Sequence, residues 1–543
     1  MKLSSPFTTL LKPLSLCIAA SMLLILMLGT GCSTLSFTDR ATVPAFIVAA
    51  PLPTADLQAN LLPHTEGCLQ WYVKMDDAID AAGVRDGSAH RMDGFPHLRV
   101  DRFAASFREQ ARQQPNMMTV LLRYASDLDL ATREKELANL PMAWRTSLAV
   151  NNLSALRDAL ERCSQALVRH DLAMPSRQEA LLAQWQVPDH YSNWQRTLGL
   201  YPLTSMPFFQ GVSNWQRATG NIFANPLSSI SQTPSRNPPN FIRYRPDLAD
   251  DASNNIGVKF ASSLRNMLDI PQLSEADWTT LLHRYAPVFE IETAGEFDRI
   301  GQLQFNPQGQ LGVNVATPVS YQRIGFTRIN GRTHVQVTYG VWFSERPPQG
   351  RFDLLAGSLD GVMVRITLDH DGAPLLVDSI HACGCYHLFF PTPRLLPRPP
   401  PATRTEWAFM PKTLPAMAIG QSVVVRLASA THYLTDIRPL ETSAIDTAQI
   451  HYHLRQDHEL QSMPLNDIKQ PLERKSAFQP DGLIAGSERA ERFLFWPMGI
   501  NSAGAMRQWG THATAFVGIR HFDDADLIDK RFTVINHQRT PDQ

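Results

Sequence analysis

THVQVTYGVWF, residues 333–343, is a run of β-branched and aromatic residues, which favour extended backbone. It follows Asn330-Gly331, a dipeptide typical of a tight β-hairpin turn, and Asp371-Gly372 marks a second such turn. Similar short runs lie before and after it: PVFEIE, VMVRITL, PLLVDSI, SVVVRL and QIHYHL. Residues 287–455 therefore predict a mainly antiparallel β-region.

The first half of the chain has a helical period instead. Leu156, Leu160, Cys163 and Leu167 recur at three- and four-residue steps, which predicts a helix over residues 153–172 with one apolar face. CLQWYVKMDDAID, which starts at position 68, is a second helical stretch. The predicted fold class is α+β, an N-terminal helical domain followed by a mainly antiparallel β-rich domain with a few helices.

The N-terminus, MKLSSPFTTLLKPLSLCIAASMLLILMLGTGC, carries Lys2 and Lys12, then an apolar run over residues 14–28, then small residues before Cys32. This is the pattern of an export signal, and its apolar run is shorter than the roughly 20 residues of a membrane-spanning helix. With Cys32 directly after a glycine, the segment resembles the signal of bacterial lipoproteins. The resemblance implies that Cys32 is acylated and becomes the new N-terminus. It also implies, from Ser33, that the lipid holds the protein at the periplasmic face of the outer membrane.

These changes of composition divide the chain into segments. The length of 543 residues fits two or three domains. Residues 225–250 are rich in proline, serine and asparagine and predict a linker between the domains. The predicted segments are a lipoprotein-type signal over 1–31, a lipidated tether over 32–57, a helical domain over 58–224, the linker, and a β-rich domain over 251–543 that includes a proline-rich arm over 391–404.

Composition and motifs exclude several function classes. Lys+Arg 50 against Asp+Glu 51 leave a net charge of -1, which argues against a nucleic-acid partner. The nucleophile elbow, the phosphate-binding loop, HExxH and the dinucleotide fingerprint do not occur in the sequence. GSLDG, residues 357–361, has its serine at the wrong offset for a nucleophile elbow and predicts a loop. The easily recognised enzyme classes are thereby excluded, but other enzymes are not.

The cysteines are expected to follow the redox state of the exported compartment. Of six, one lies in the signal and one is the expected lipid site. Outside the cytoplasm the remaining four are expected to oxidise, although sequence alone cannot choose among three pairings. Separation along the chain favours Cys68–Cys163, which would join two helices, and Cys383–Cys385. Two buried thiols are the alternative for the first pair.

DSIHACGCYH, which ends at His387, is the densest cluster of chemistry-bearing side chains. On an extended chain His381, Cys383, Cys385 and His387 would share one face, and all four are ligand types that zinc or copper accepts. The row would span about 20 Å, so one ion would reach two neighbours unless Gly384 bends the chain. A tight Cys383–Cys385 disulfide and two free thiols are the alternatives.

THATAFVGIRHF, residues 511–522, alternates apolar and polar residues and predicts a strand. His512 lies on its polar face and is a candidate to complete the metal site. His521 lies near Asp523 and Asp524, a pairing that acid–base catalysis uses but that is more often a solvated strand end.

Other histidines form a second candidate metal site. His451 and His453 share one face of a predicted strand, and His432 would approach them if that strand paired with the run around Val425. Exposed strand histidines without a ligand are the more common case.

The pentapeptide SNWQR occurs twice, at residues 192–196 and 213–217, with Gly199 and Gly220 three residues further on. A serine before and a glycine after predict two short capped helices whose tryptophans pack inward. A paired aromatic platform for a glycan or peptide is the alternative.

Two functions follow from these patterns, and whether the protein is an enzyme stays open. The first is an outer-membrane-anchored lipoprotein that binds or assembles with an envelope protein or cell-wall partner. The second is a metal-dependent hydrolase with a zinc or copper site at His381, Cys383, Cys385 and His387. Convergence of His512 on this segment would favour a shared site.

Overall fold

The computed structural model describes six parts of the chain, residues 65–148, 153–225, 240–247, 255–441, 449–465 and 473–535. The predicted signal over 1–31, the lipidation site Cys32 and the tether up to residue 57 lie outside these parts. Across the described residues, no helix is long and apolar enough to cross a membrane.

The described residues contain helices and strands in both halves of the chain. The helices are α1 (Thr65–Ala81), α2 (Arg102–Ala105), α3 (Arg108–Gln113), α4 (Pro115–Asn139), α5 (Met142–Ser147), α6 (Leu153–Ala173), α7 (Pro175–Gln184), α8 (Asn193–Leu198), α9 (Tyr201–Ala224), α10 (Ile256–Ser262), α11 (Glu275–Tyr285) and α12 (Glu491–Phe495). The first nine strands are β1 (His90–Met92), β2 (Phe95–Val100), β3 (Phe241–Pro246), β4 (Val288–Glu292), β5 (Gln302–Phe305), β6 (Leu311–Asn314), β7 (Val319–Ile329), β8 (Arg332–Arg346) and β9 (Gly357–Leu368). The remaining strands are β10 (Pro374–His381), β11 (Leu388–Pro391), β12 (Leu395–Pro397), β13 (Val423–Leu427), β14 (Leu434–Pro439), β15 (Gln449–Gln456), β16 (Met463–Pro464), β17 (Arg474–Lys475) and β18 (Phe532–Val534).

Ten strands form one sheet in the order β11-β10-β9-β8-β7-β15-β3-β4-β13-β14. Strands β7 to β11 are an antiparallel meander. Three pairings are parallel, those of β7 with β15, β15 with β3, and β4 with β13. The predicted α+β class with a mainly antiparallel β-region is confirmed.

The tight turns within the meander lie where the sequence predicts them. Asn330 and Gly331 both have positive φ, 52° and 74°, between β7 and β8. Gly372, φ 88°, makes the turn between β9 and β10. A tight hairpin turn requires positive φ, and glycine and asparagine adopt positive φ at little cost.

Strand β8 lies between two cores, because its side chains alternate between the faces of the sheet. On one face its residues 335, 337, 339, 341 and 343 are buried in the largest core. Helix α11 covers this core, and the Tyr339 hydroxyl donates to the Leu282 carbonyl at 2.5 Å. On the other face Trp342 packs in a second core that includes Cys383 and Cys385. The sheet therefore brings the predicted Cys/His segment against a buried apolar layer.

The helical half is built around α1, α4 and α6. The helix predicted over residues 153–172 is confirmed as α6. The structure joins Cys68 of α1 to Cys163 of α6 in a disulfide with Cα atoms 5.4 Å apart. The hairpin of β1 and β2 was not predicted from the sequence, because every residue of β2 is buried, polar and apolar alike, and the strand therefore lacks the alternation of a half-buried strand. Arg99 of β2 is fully buried and donates to Asp129 at 3.0 Å and Glu136 at 2.6 Å, both on α4.

Two segments predicted as linker and exposed arm contribute strands. Strand β3 lies within residues 225–250 yet occupies the middle of the sheet between β15 and β4, with Tyr244 buried. Strand β12 lies within the arm over residues 391–404 and pairs with β18, because Leu395 is buried in one core with Phe532. In both segments a strand forms around one buried side chain, although the composition is polar and rich in proline.

Only the first SNWQR copy is a short capped helix. The Ser192 hydroxyl accepts from the Gln195 N–H at 3.4 Å, and helix α8 ends at Gly199. The second copy lies inside the long helix α9, so the expected second short helix is wrong. Trp194 of the first copy is 60% exposed, whereas Trp215 of the second is half-buried.

The predicted C-terminal strand is a loop. Within the described residues, the β pairing of this loop is limited to one isolated bridge between Ala513 and His521. The Tyr191 hydroxyl accepts from the Ala515 N–H at 3.1 Å and donates to the Ala515 carbonyl at 2.8 Å. Side chains, together with backbone bonds within the loop such as that from the Thr514 N–H to the Arg520 carbonyl at 2.8 Å, therefore satisfy the groups that a neighbouring strand would otherwise pair.

Candidate functional site

Strand β10 ends at His381, and the chain reverses in a tight turn before β11. Gly384 has φ 92° and donates its N–H to the His381 carbonyl at 2.7 Å. A side chain at Gly384 would start 2.6 Å from the carbonyl oxygen of Ala513, so only glycine fits. The extended row expected from the sequence does not form, because Gly384 bends the chain.

Cys383 and Cys385 are free thiols in this structure and are 6% and 9% exposed. A hydrogen bond from the Cys385 thiol lowers the pKa of Cys383, and the Cys385 N–H adds to the effect. The same thiol–thiol bond, together with burial, raises the pKa of Cys385. The alternative of two free thiols is the one found here, and Cys383 is the more easily ionised of the pair.

His381 points toward Asp360, a buried residue of β9. Its Nδ1 lies 3.5 Å from an Asp360 carboxylate oxygen, and Arg489 lies 3.3 Å from the same oxygen. Burial lowers the pKa of His381 in spite of the carboxylate, so the ring is neutral at pH 7. The residue that sequence analysis offered as a metal ligand is thus oriented by Asp360.

His432 bridges Asp360 to a second buried carboxylate, Asp298. Its Nδ1 lies 2.8 Å from Asp360 and its Nε2 lies 3.4 Å from Asp298. Burial alone would lower the pKa of His432, but the two carboxylates raise it above its ordinary value. The ring also stacks on Phe343 at 3.8 Å between centroids. This arrangement favours the imidazolium form of His432 in the interior.

His387 has a carboxylate partner of its own. Its Nε2 lies 2.9 Å from Asp378, and Arg365 binds the same carboxylate through two nitrogens at 2.6 and 3.0 Å. Burial lowers the pKa of His387 to about 3, so its ring is neutral and donates the Nε2 proton to Asp378. The other ring nitrogen is buried and hydrogen-bonds to no described residue. The ring packs on Phe389 at 4.1 Å between centroids.

His512 does converge on this segment. Its Nε2 lies 3.2 Å from the carbonyl oxygen of Ala382, the residue before Cys383. Burial lowers the pKa of His512 to about 3, and the neutral ring therefore donates to that carbonyl. The contact holds the C-terminal loop against the turn.

A partly open pocket with a cavity volume of about 40 Å³ lies where α9, this turn and the C-terminal loop meet. Four half-buried aromatic side chains line it, those of Trp215, Tyr386, Trp407 and Phe516. Among its polar lining groups are both thiols, His387, Glu406 and Arg520. A cavity of this size holds about three water molecules, so a ligand would lie across the opening and not inside the cavity.

Arg520 and Glu406 brace the C-terminal wall of the pocket. The Arg520 guanidinium donates to the Thr514 hydroxyl at 2.9 Å and to the Trp407 carbonyl at 3.2 Å. One Glu406 carboxylate oxygen accepts from the N–H of Phe516 at 2.6 Å. These two charged groups bind the wall itself, and part of the aromatic surface is also engaged, since Phe516 stacks on Phe495 and Trp215 packs on Tyr386.

Glu491, at the start of α12, is a second buried carboxyl group near the thiols. Burial raises the pKa of Glu491 to about 7, in spite of the nearby Arg489 and Arg346. A side chain at Gly504 would start 2.1 Å from the Glu491 carboxylate, so the backbone closes directly over it.

Backbone strain is concentrated around these residues. Of the eight non-glycine residues with positive φ in the described part, four lie here: Leu359 at 57°, Tyr386 at 61°, Ala430 at 62° and His432 at 51°. Such conformations cost about 1–3 kcal/mol each and persist where surrounding bonds hold them, most often at functional sites. The Ala430 N–H, for example, donates to Asp298 at 2.6 Å.

The structure does not assemble the predicted metal ligands into one set. His381 and His387 bind different carboxylates, and only Cys383 and Cys385 contact each other through their side chains. In the described part of the chain no group of three or more His, Cys, Asp or Glu side chains is arranged to hold a metal ion. Zinc or copper at this site stays a prediction that metal analysis has to test.

The other histidine candidates lie elsewhere. His451 and His453 are exposed on β15, and β3 and β4 separate that strand from β13, so His432 does not join them. His521 pairs with Asp524 at 3.3 Å and Asp189 at 3.1 Å, outside the pocket lining.

Sequence analysis missed the partners that come from distant segments. Asp360 lies in β9, in the GSLDG segment that composition assigned to a loop. Trp215 was noted only as part of its pentapeptide, and Glu491 was not identified as a candidate. The sequence around a carboxylate or a tryptophan does not indicate which residue it will contact. The repeat of SNWQR was the one feature that drew attention to Trp215.

Comparisons with protein-family models, with curated proteins and with solved structures each found no match. No relative therefore supplies a role for any residue of this site.

Proposed function

We propose that this chain is an outer-membrane lipoprotein whose periplasmic body binds a small ring-bearing ligand in the pocket beside the Cys383–Cys385 turn. The anchor is supported by the N-terminal pattern that ends at Cys32. The ligand site is supported by the pocket and its aromatic lining. The role is one of binding, as the composition and motif pattern favoured.

The observation that carries the ligand class is the arrangement of Trp215, Tyr386, Trp407 and Phe516 around one opening. Indole, phenol and phenyl faces offer large apolar contact at low cost in conformational entropy, and they stack on flat or weakly puckered rings. The charged wall residues Glu406 and Arg520 are engaged with each other and the backbone. A ligand therefore gains most of its contact through a ring face and orients by its polar edge.

Two sources share this chemistry, an aromatic compound and a sugar ring of a cell-wall glycan. Saturation-transfer NMR on the purified full-length protein distinguishes them with two water-soluble probes, indole-3-acetate and the N-acetylglucosamine disaccharide. Transfer to one probe identifies the source. Transfer to neither, at millimolar probe, contradicts a ring-binding pocket.

The repeated pentapeptide supplies a matched control. Trp215→Ala removes one wall of the pocket, and we expect loss of most of the transfer signal. Trp194→Ala changes the same residue in the same local sequence, but Trp194 packs on Trp496 outside the pocket. Equal loss in both variants would contradict the assignment of the site to the pocket.

A further inference from the structure

We propose that Cys383 and Cys385 form a dithiol–disulfide exchange site, in which Cys383 attacks a small disulfide compound that enters the pocket and Cys385 resolves the mixed disulfide. This goes beyond the binding proposal and does not depend on a ring-bearing ligand.

The turn places the two thiols for such a reaction. Gly384 bends the chain so that both cysteine side chains lie in one buried cluster and line the same pocket. The turn is closed by the bond from the His381 N–H to the Cys385 carbonyl at 3.0 Å and is fixed by its contact with Ala513. Both cysteines are buried but line the pocket, which is partly open to solvent.

Nearby charged groups give the two thiols different pKa values. Cys383 accepts the bond from the Cys385 thiol, and the Arg489 cation lowers its pKa further. The Arg507 guanidinium is buried and donates to the Cys383 carbonyl at 3.2 Å, and its charge favours the thiolate of Cys385 once that group must ionise. The charge of Glu491 raises the pKa of both cysteines and so disfavours both thiolates. The attacking thiol is therefore Cys383, since nucleophilicity requires the thiolate form.

The reaction balances with a disulfide as the oxidant. The Cys383 thiolate attacks one sulfur of glutathione disulfide, forms a mixed disulfide and releases the first glutathione thiolate, which takes a proton. The Cys385 thiolate then attacks the Cys383 sulfur and releases the second glutathione. Two cysteine thiols are oxidised to one disulfide, and one glutathione disulfide is reduced to two thiols.

Intact-mass spectrometry tests this on the full-length protein with Cys17→Ser and Cys32→Ser, in which no thiol of the signal region can react, after incubation with glutathione disulfide. The Cys68–Cys163 pair is already bridged and contributes no thiol. We expect this protein to lose two hydrogens, with a Cys383–Cys385 crosslink in the peptide map. An early sample should carry one glutathione, on Cys383.

Two serine variants separate the roles. Cys385→Ser should accumulate the single glutathione adduct, because the resolving thiol is gone. Cys383→Ser should lose adduct formation. Circular dichroism and the melting temperature confirm that each variant is folded, and the early sample with both cysteines gives the same assignment if a variant does not fold.

Several outcomes overturn the proposal. Protein that keeps both thiols after exposure to glutathione disulfide has no exchange site. An adduct on Cys385 that persists in Cys383→Ser reverses the assigned roles. Stoichiometric zinc or copper released on acid denaturation of the untreated protein makes the pair a metal site instead. None of these results bears on transfer to the ring probes, so the two proposals fail independently.

Discussion

Glu491 is a single carboxyl group whose burial has a measurable consequence. Its pKa in the folded protein is about 7, against 4.5 for an ordinary glutamate. Below about pH 4.5 the group is protonated in both the folded and the unfolded state and has no pH-dependent effect. As the pH rises toward 7 the unfolded state ionises first, so the folded state loses stability.

Glu491→Gln should remove this loss, because glutamine resembles the protonated form. We expect the two proteins to be similarly stable near pH 4 and the variant to be about 3 kcal/mol more stable at pH 8, since one pKa unit corresponds to roughly 1.4 kcal/mol. Urea unfolding at a series of pH values measures the difference. The histidines with shifted pKa values change the stability of both proteins equally, so their contribution cancels in the difference. A difference that does not change with pH would contradict a raised pKa of Glu491.

At the same scale, sequence analysis identified part of the site but not its electrostatics. Cys383, Cys385, His381 and His387 are close in sequence, so their pattern is visible in it. Whether His381 is oriented by a carboxylate or binds a metal depends on Asp360, which is 21 positions away on another strand. No periodicity carries that information, because strand pairing determines which carboxylate a buried imidazole meets.

Elements with strong local signals were predicted well, and elements held by long-range contacts were not. Helix α6 has both an apolar stripe and helical spacing, and its predicted bounds differ from the observed ones by one residue at the end. The loop over residues 511–522 shows the alternation of a strand, yet Tyr191 and Glu406 bind its backbone in place of a neighbouring strand. In this loop the polar His512 and Arg520 are buried and the apolar Ile519 is exposed, so the alternation predicted neither burial nor sheet pairing.

The disulfide between α1 and α6 closes a loop of 95 residues, the longest covalent constraint in the described part of the chain. In the chain-entropy account a loop of this length stabilises by about 4–5 kcal/mol. The double variant Cys68→Ala/Cys163→Ala should lose about that much free energy of unfolding. Denaturant titration of the variant against the wild type measures it. A loss below about 1 kcal/mol would mean that packing of α1 on α6 carries the stability without the bridge.

At the scale of the whole molecule, the proposed lipid anchor determines the compartment in which the pocket would meet its ligand. If Cys32 is acylated, Cys32→Ala should abolish incorporation of labelled palmitate and release the protein from outer-membrane fractions. Cys17→Ala is the matched control, because that cysteine lies within the apolar run of the signal and should leave labelling unchanged. Labelling that survives Cys32→Ala, or that is missing from the wild type, would contradict the lipoprotein assignment.

The two halves of the molecule meet at the pocket, which explains why neither half reveals it alone. Helix α9 ends the helical half and contributes Trp215, the sheet contributes the Cys383–Cys385 turn, and the last described segment contributes Phe516. Residues more than 300 positions apart in the sequence line one opening. A site of this kind follows from the packing of three segments and has no continuous motif.

Protection of the two thiols from alkylation tests the central claim, that this opening is the ligand site. The iodoacetamide reaction rate at Cys383 and Cys385 is measured by peptide mass spectrometry with and without whichever ring probe shows saturation transfer. A probe that occupies the pocket should slow alkylation of both cysteines. A probe that shows transfer yet leaves both rates unchanged would place the ligand elsewhere on the protein.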